Sequence, residues 1–213
     1  MIKCLIFDYD GTLADTQDAI YEALIQVAKE YNARQPDFSE ISSHIGLPLE
    51  KIIRDVLQIP EESVLESVKQ YRKIYSAIDI NLAKPFPDVI KTLNLLGSMG
   101  YSLTIASSKA NEFIYRFLAK WEVEGIFDHV IGSQDVQNPK PDPEAVFTLA
   151  RKTGIEPDDC LVIGDTVFDM QMGKRAGSRT CYARYGYGDD QLAGPFSDYI
   201  IKNFDEVLEI LEK

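Results

Sequence analysis

The chain has 213 residues, 45% of them hydrophobic, and a formal net charge of −12. That length and composition supply one sizeable core with room for a smaller inserted domain. So acidic a surface argues against nucleic-acid binding, which runs on Lys/Arg neutralisation of phosphates, while a small phosphorylated ligand stays open because a local site can be positive within a negative surface.

Residues 2–7, at the head of MIKCLIFDYDGTL, read as a buried strand. The apolar run stops at Asp8, so no secretory leader is expected. Asp8 and Asp10 then stand one residue apart. In extended backbone they share a side, and at about 4 Å and an effective dielectric near 20 two such charges repel by roughly 4 kcal/mol. Either something offsets that repulsion or one carboxyl holds its proton.

A helical block comes next. Residues 16–32 carry Ile20, Leu24, Val27 and Tyr31 on one stripe, 49–57 read as helix, and 61–79 carry Val64, Val68, Tyr71, Tyr75 and Ile78. Pro85 and Pro87 of KPFPD end the block. Beyond it the pattern alternates: helix 87–99, strand 101–106, helix 110–121, strand 129–132, helix 143–153, strand 160–164, helix 167–176, strands 179–183 and 198–201, and a last helix 204–212. Alternating strands and helices predict an α/β fold, a parallel-sheet Rossmann-like core with helices on both faces. The helical block is then an inserted domain, residues 16–83, and the α/β core is 1–15 with 84–213. No segment approaches the roughly 20 apolar residues of a membrane span. Cys4, Cys160 and Cys181 form no CxxC and lie in or beside apolar runs, as reduced core thiols do. The expectation is a soluble cytoplasmic protein.

In open α/β sheets, ligands bind beyond the carboxyl ends of the strands. The strand ends of this chain carry Asp8 and Asp10; then Ser107, Ser108 and Lys109; then Lys140 within NPKPDP; then Asp165 and Asp169. Singly, each has a plain reading. Asp8 and Asp10 suit a turn, Ser107 or Thr166 a helix N-cap, Asp142-Pro143 an N-cap before a proline at the first helical position, and Lys140 a solvated charge. Together they form a site for a hard divalent cation with oxygen ligands, which Mg²⁺ suits best. The hydroxyl and the ammonium complete a phosphoryl cradle. A carboxylate facing phosphorus attacks it, and a second acid moves the proton. Neither GxxxxGK[ST] nor GxGxxG after a strand is present, which counts against a nucleotide-binding loop.

FDYDGTLADT, the strand-end Ser107-Ser108-Lys109, KPDP and IGDTVFDMQMGKRAG together resemble the haloacid dehalogenase-like hydrolase superfamily. The helical block resembles its helical cap, and ARYGYGDDQLAGPFSDYIIKNFDEVLEIL is similar to the tail of the phosphoglycolate phosphatase-like branch. The resemblance implies Asp8 as nucleophile and Mg²⁺ ligand. It implies Asp10 as general acid/base, with its backbone carbonyl on the metal. Ser107 binds the phosphoryl oxygen and Lys140 holds nucleophile and phosphate together. Asp165 is a direct metal ligand and Asp169 supports the metal through its waters. Ser108 stands where many relatives carry Asn. Asp10 separates this chain from the dehalogenase and phosphonate-cleaving branches, which lack an acid there. SSHIGLPLEK, residues 42–51, resembles the specificity loop, turned at Gly46, with Lys51, Arg54, Arg72 and Lys73 as nearby cations. The implied activity is Mg²⁺-dependent hydrolysis of a small phosphorylated metabolite, a phosphomonoester that is phosphoglycolate-like or a sugar phosphate, through an aspartyl-phosphate. A β-phosphoglucomutase-like mutase and a non-enzymatic, receiver-like phospho-switch are the alternatives; the oligomeric state stays open.

Overall fold

The computed structural model describes residues 1–78 and 80–212. Asp79 and Lys213, the last residues of the expected 61–79 helix and of the expected core domain, lie outside the described residues. The chain forms two compact units, Thr16–Lys84 and Met1–Asp15 with Pro85–Lys213.

The helical unit holds α1 (Gln17–Glu30), α2 (Phe38–Ser42), α3 (Leu49–Asp55) and α4 (Glu61–Ala77). The stripes read from the sequence are buried at Ile20, Leu24 and Val27 on α1, and at Val64, Val68, Tyr71 and Tyr75 on α4, whereas Tyr31 caps the end of α1 and is only half-buried. Helix α2 has no counterpart among the expected elements. It is too short for periodicity and rests on local polar contacts instead. Asp37 Oδ1 accepts from Glu40 N (2.8 Å), and the Arg34 guanidinium donates to both Glu40 oxygens (2.6 and 2.7 Å). Gly46 lies in the turn between α2 and α3 at φ +100°.

The core unit is a six-stranded parallel sheet: β1 (Cys4–Phe7), β2 (Ser102–Ala106), β3 (His129–Ile131), β4 (Cys160–Gly164), β5 (Arg179–Ala183) and β6 (Tyr199–Ile201), in the order β3-β2-β1-β4-β5-β6. Around it lie α5 (Val89–Ser98), α6 (Asn111–Lys120), α7 (Glu144–Thr153), α8 (Val167–Ala176), α9 (Asp190–Ala193) and α10 (Val207–Leu211). Strand β1 is an unbroken apolar run because both its faces are covered. Ile6 packs with Val146, Leu149, Val162 and Met172. Phe7 meets Phe127 and Phe204, with ring centroids 6.4 and 5.6 Å apart. All three cysteines are buried and free. Among the described residues, no helix is long and apolar enough to cross a membrane.

Three local readings change. Pro143 itself is the N-terminal flank of α7, while Asp142 Oδ1 accepts from Glu144 N (3.0 Å). The last helix is a 3₁₀ turn, Phe204–Glu206, followed by α10. Helix α9, four residues long, stands where no helix is expected. Strands β2 and β3 are added on one side of β1 and β4 to β6 on the other, so the strand order reverses between β1 and β4, at whose carboxyl ends open α/β sheets leave a crevice.

Candidate active site

Asp8 follows β1 directly, its N–H donating to Ile163 O on β4 (2.8 Å). The chain then reverses, with Gly11 N donating to Ala14 O (2.9 Å). Gly11 takes φ +81°, and a Cβ on it would stand 2.1 Å from Asp165 Oδ2. No other residue fits both demands.

Asp165 follows β4 and Asp169 lies in the first turn of α8. Thr166 caps that helix in a reciprocal box: its Oγ1 accepts from Asp169 N (3.4 Å) and its N–H and Oγ1 donate to Asp169 Oδ2 (3.0 and 2.6 Å). The cap reading of Thr166 therefore holds, and the same contacts aim Asp169. Ser107, by contrast, caps no helix; its Oγ accepts from Lys109 N (3.3 Å) within the turn after β2.

Asp8, Asp165 and Asp169 are all buried, and one oxygen from each lies within 4.8 Å of the others. Lys140 reaches them from the loop after β3, which is fixed because Glu144 accepts from Gln137 N (2.9 Å) and Asn138 N (2.8 Å). Its ammonium donates to Asp169 Oδ1 (2.5 Å) and forms an ion pair with Asp8 Oδ1 at 2.8 Å. Burial pushes the Asp8 carboxyl up to about 6, with the Lys140 ammonium opposing and the Asp169 and Asp10 charges adding. Burial, then Asp169 and Asp8, hold Asp165 well above the usual carboxylate range. Burial works against the charge of Lys140, but Asp169 and Asp8 outweigh it and raise its pKa. When all three carboxyls are ionised they face one ammonium, which leaves two negative charges for a cation to compensate. An all-oxygen, doubly negative donor set fits a hard divalent cation.

Asp10 does not join this cluster through its carboxylate. That group turns to Lys109, whose Nζ lies 3.0 and 3.2 Å from its two oxygens. The repulsion expected at the end of β1 is thus offset by two lysines, Lys140 at Asp8 and Lys109 at Asp10. Ser107 is 8% exposed, with its N–H donating to Ile131 O (2.9 Å), and Ser108 lies beside it. Gly46 and the cations Lys51, Arg54, Arg72 and Lys73 belong to the helical unit. There Arg54 pairs with Asp55 (3.0 Å) and Glu61 (3.5 Å), and Arg72 Nε is buried with no hydrogen-bond partner among the described residues.

Sequence reasoning gave no role to Lys109 or to the turn after β5. Tyr187 N donates to Asp165 Oδ2 (2.8 Å), Thr12 Oγ1 donates to Asp165 Oδ1 (3.2 Å), Tyr185 OH donates to Thr12 O (2.8 Å) and Tyr187 OH donates to Asp15 Oδ1 (3.0 Å). A Cβ on Gly186 would lie 2.3 Å from both Asp165 Cβ and Gly11 O. The glycine-tyrosine alternation of ARYGYG was the available signal: small residues where backbone must approach, and hydroxyls on either side.

Residues 5–183 match the family model described as haloacid dehalogenase-like hydrolase. The chain is 33% identical over 213 residues to the probable phosphatase IndB of Dickeya dadantii, covering 98% of this chain and 93% of that one. It is 29% identical to the phosphoglycolate phosphatase of Aquifex aeolicus, covering 99% and 97%. A haloacid dehalogenase-like family hydrolase from Streptococcus pneumoniae, 28% identical, superposes with a TM-score of 0.87 over 99% of this chain and 98% of its own.

Proposed function

The chain belongs to the haloacid dehalogenase-like hydrolase family, in its phosphoglycolate phosphatase-like branch, and from that premise we propose that this phosphate-ester hydrolase is a Mg²⁺-dependent phosphatase of a small phosphomonoester, acting through an aspartyl-phosphate. The observation that carries the proposal is the meeting of Asp8, Asp165 and Asp169 with Lys140 at the switch point of the sheet.

Asp8 is the nucleophile. Its carboxylate oxygen forms a bond to phosphorus as the bond from phosphorus to the leaving oxygen breaks. Asp10 gives its proton to that oxygen, then takes one from the water that hydrolyses the acyl phosphate. Lys140 and the Ser107 hydroxyl hold the phosphoryl oxygens, Lys140 also keeping Asp8 in place. Ser108 completes that phosphoryl-binding turn. Asp8, Asp165 and the Asp10 backbone carbonyl would hold the cation, with Asp169 in support; when bound, it neutralises the charge of the phosphoryl group. The helical unit, with the loop turned at Gly46, sets substrate choice. No observation favours the mutase or the phospho-switch.

A phosphate-release screen tests this, run with Mg²⁺ and with a chelator over phosphoglycolate, sugar phosphates, pyrophosphate and nucleotides. Wild type should release phosphate only with the cation, and Asp8→Asn should lose at least about a thousandfold in turnover. Release by pure Asp8→Asn protein at the wild-type rate would overturn the nucleophile assignment.

A further inference from the structure

Resting on the reading of Asp10 as the proton-transfer acid, we propose that Lys109 is its positioning residue: an ammonium built into the turn after β2 that grips the ionised Asp10 carboxylate and, once it is protonated, keeps hold of one oxygen so that the proton on the other reaches the leaving oxygen. The contact is two-pronged, with Nζ at 3.0 and 3.2 Å from the two oxygens, and it is largely shielded, the side chains being 6% and 12% exposed. Lys109 is itself held at several points. Its N–H donates to Ser107 Oγ (3.3 Å), its carbonyl accepts from Ser133 N (3.0 Å), and its ammonium lies 6.0 Å from the centroid of the Tyr9 ring. A buried cation anchored at backbone and head group is a rigid reference for the carboxylate it grips.

The need for such a reference comes from where Asp10 sits. Its backbone is committed to the Asp8–Ala14 turn, with an isolated bridge from Asp10 to Ala14, while its side chain has several rotamers open to it unless something selects one. A proton donor must stand within hydrogen-bond reach of the oxygen it protonates. A misplacement of about 1 Å costs on the order of a hundredfold. Two lysines therefore divide the work. Lys140 bridges Asp8 and Asp169 where phosphorus is attacked, and Lys109 holds the acid that serves the departing group. Ser107 and Lys109 lie two residues apart in one turn, so the element that offers the phosphoryl oxygen a hydroxyl also sets the proton carrier.

A merely structural ion pair and a positioning residue differ in leaving-group dependence. An alkoxide leaves only when protonated; p-nitrophenolate needs almost no protonation. The probes are the alkyl monoester turned over fastest in the phosphate-release screen and p-nitrophenyl phosphate, both with Mg²⁺. The readout is kcat/KM, which reports steps through release of the leaving group and omits the later hydrolysis of the acyl phosphate. Lys109→Met should lower the alkyl-to-aryl ratio of kcat/KM by about 10–100-fold, and Lys109→Arg should recover most of it. In an Asp10→Asn background, Lys109→Met should change neither substrate by more than about twofold, since on this assignment the catalytic effect of the ammonium runs through Asp10. Equal losses on both substrates, or a further drop in that background, would overturn the assignment. If Lys109→Met alone does not fold, Lys109→Gln, which keeps a donor without the charge, carries the same alkyl-to-aryl ratio. If Asp10→Asn itself leaves the ratio unchanged, the acid reading of Asp10 fails and the Lys109 assignment falls with it; a ratio shifted by Asp10→Asn but not by Lys109→Met defeats the Lys109 assignment alone.

Discussion

Asp8 and Asp10 coexist at the end of β1 because each faces its own ammonium, and because the small residue between them and Asp165 lets three chain segments close on one point. Gly11 is that residue. In Gly11→Ala, the left-handed backbone costs about 1–2 kcal/mol, and the new Cβ must displace the Asp165 carboxylate. The expected result is a melting temperature lower by roughly 2–8 °C, with phosphate release down at least about tenfold. Asp165 makes the opposite case. Its raised pKa means that the charged form is unfavourable in the protein without a cation. Asp165→Asn should therefore melt no lower than wild type in chelator, and the upward shift expected of wild type on adding Mg²⁺ should be missing from it. A wild-type-sized Mg²⁺ shift in Asp165→Asn would remove that residue from the cation's ligands.

At the scale of elements, the sheet's strand ends do the placing and short polar joints hold the connections. Asp198, at the entry to β6, accepts from Thr180 N on β5 (2.9 Å) and from Lys174 Nζ on α8 (2.5 Å). Partial burial works to raise its pKa, but the Lys174 contact and the Thr180 N–H outweigh it and hold the carboxyl below its ordinary value. A depressed folded-state pKa gives stability that is present above the unfolded value, about 3.9, and is lost as pH falls through the lower folded value. Urea unfolding followed from pH 6 downward should show wild type losing stability below about pH 4. Asp198→Asn should have a flatter acid arm and lower stability at pH 6. The elements that periodicity makes visible, the strands and the helices of ten or more residues, were legible to within two residues at their ends. Helices α2 and α9 were not. At five and four residues they hold too few turns to show a stripe, and each depends on a side chain of its own, Asp37 or Asp189, accepting from the first turn.

For the whole molecule, the chain leaves and re-enters the core unit at one place. Phe86 N donates to Leu13 O (3.1 Å), and both residues belong to the core. Each unit buries its own apolar stripes. Replacing 16–84 by a short Gly-Ser linker should therefore leave a core that melts cooperatively. It should keep measurable release from p-nitrophenyl phosphate and lose preference among natural monoesters. A deletion variant that folds and keeps the wild-type order of substrates would remove the helical unit from substrate choice.

The amino-acid sequence alone determined the succession of strands and helices, the insertion after the first strand, and the collection of Asp8, Asp10, Ser107, Lys140, Asp165 and Asp169 at strand ends. Those are local properties: side-chain periodicity, turn residues, and the position of a polar group just past an apolar run. The tertiary structure decided the partners. Lys109 lies 99 residues from Asp10 and Lys140 lies 29 from Asp169, and no local rule selects which ammonium meets which acid. The strand order does, by setting β2 and β4 on either side of β1. The same holds for the Tyr185–Tyr187 turn, whose hold on Asp165 and Thr12 exists only once β5 lies beside β4 and the chain after it comes back over the end of β1.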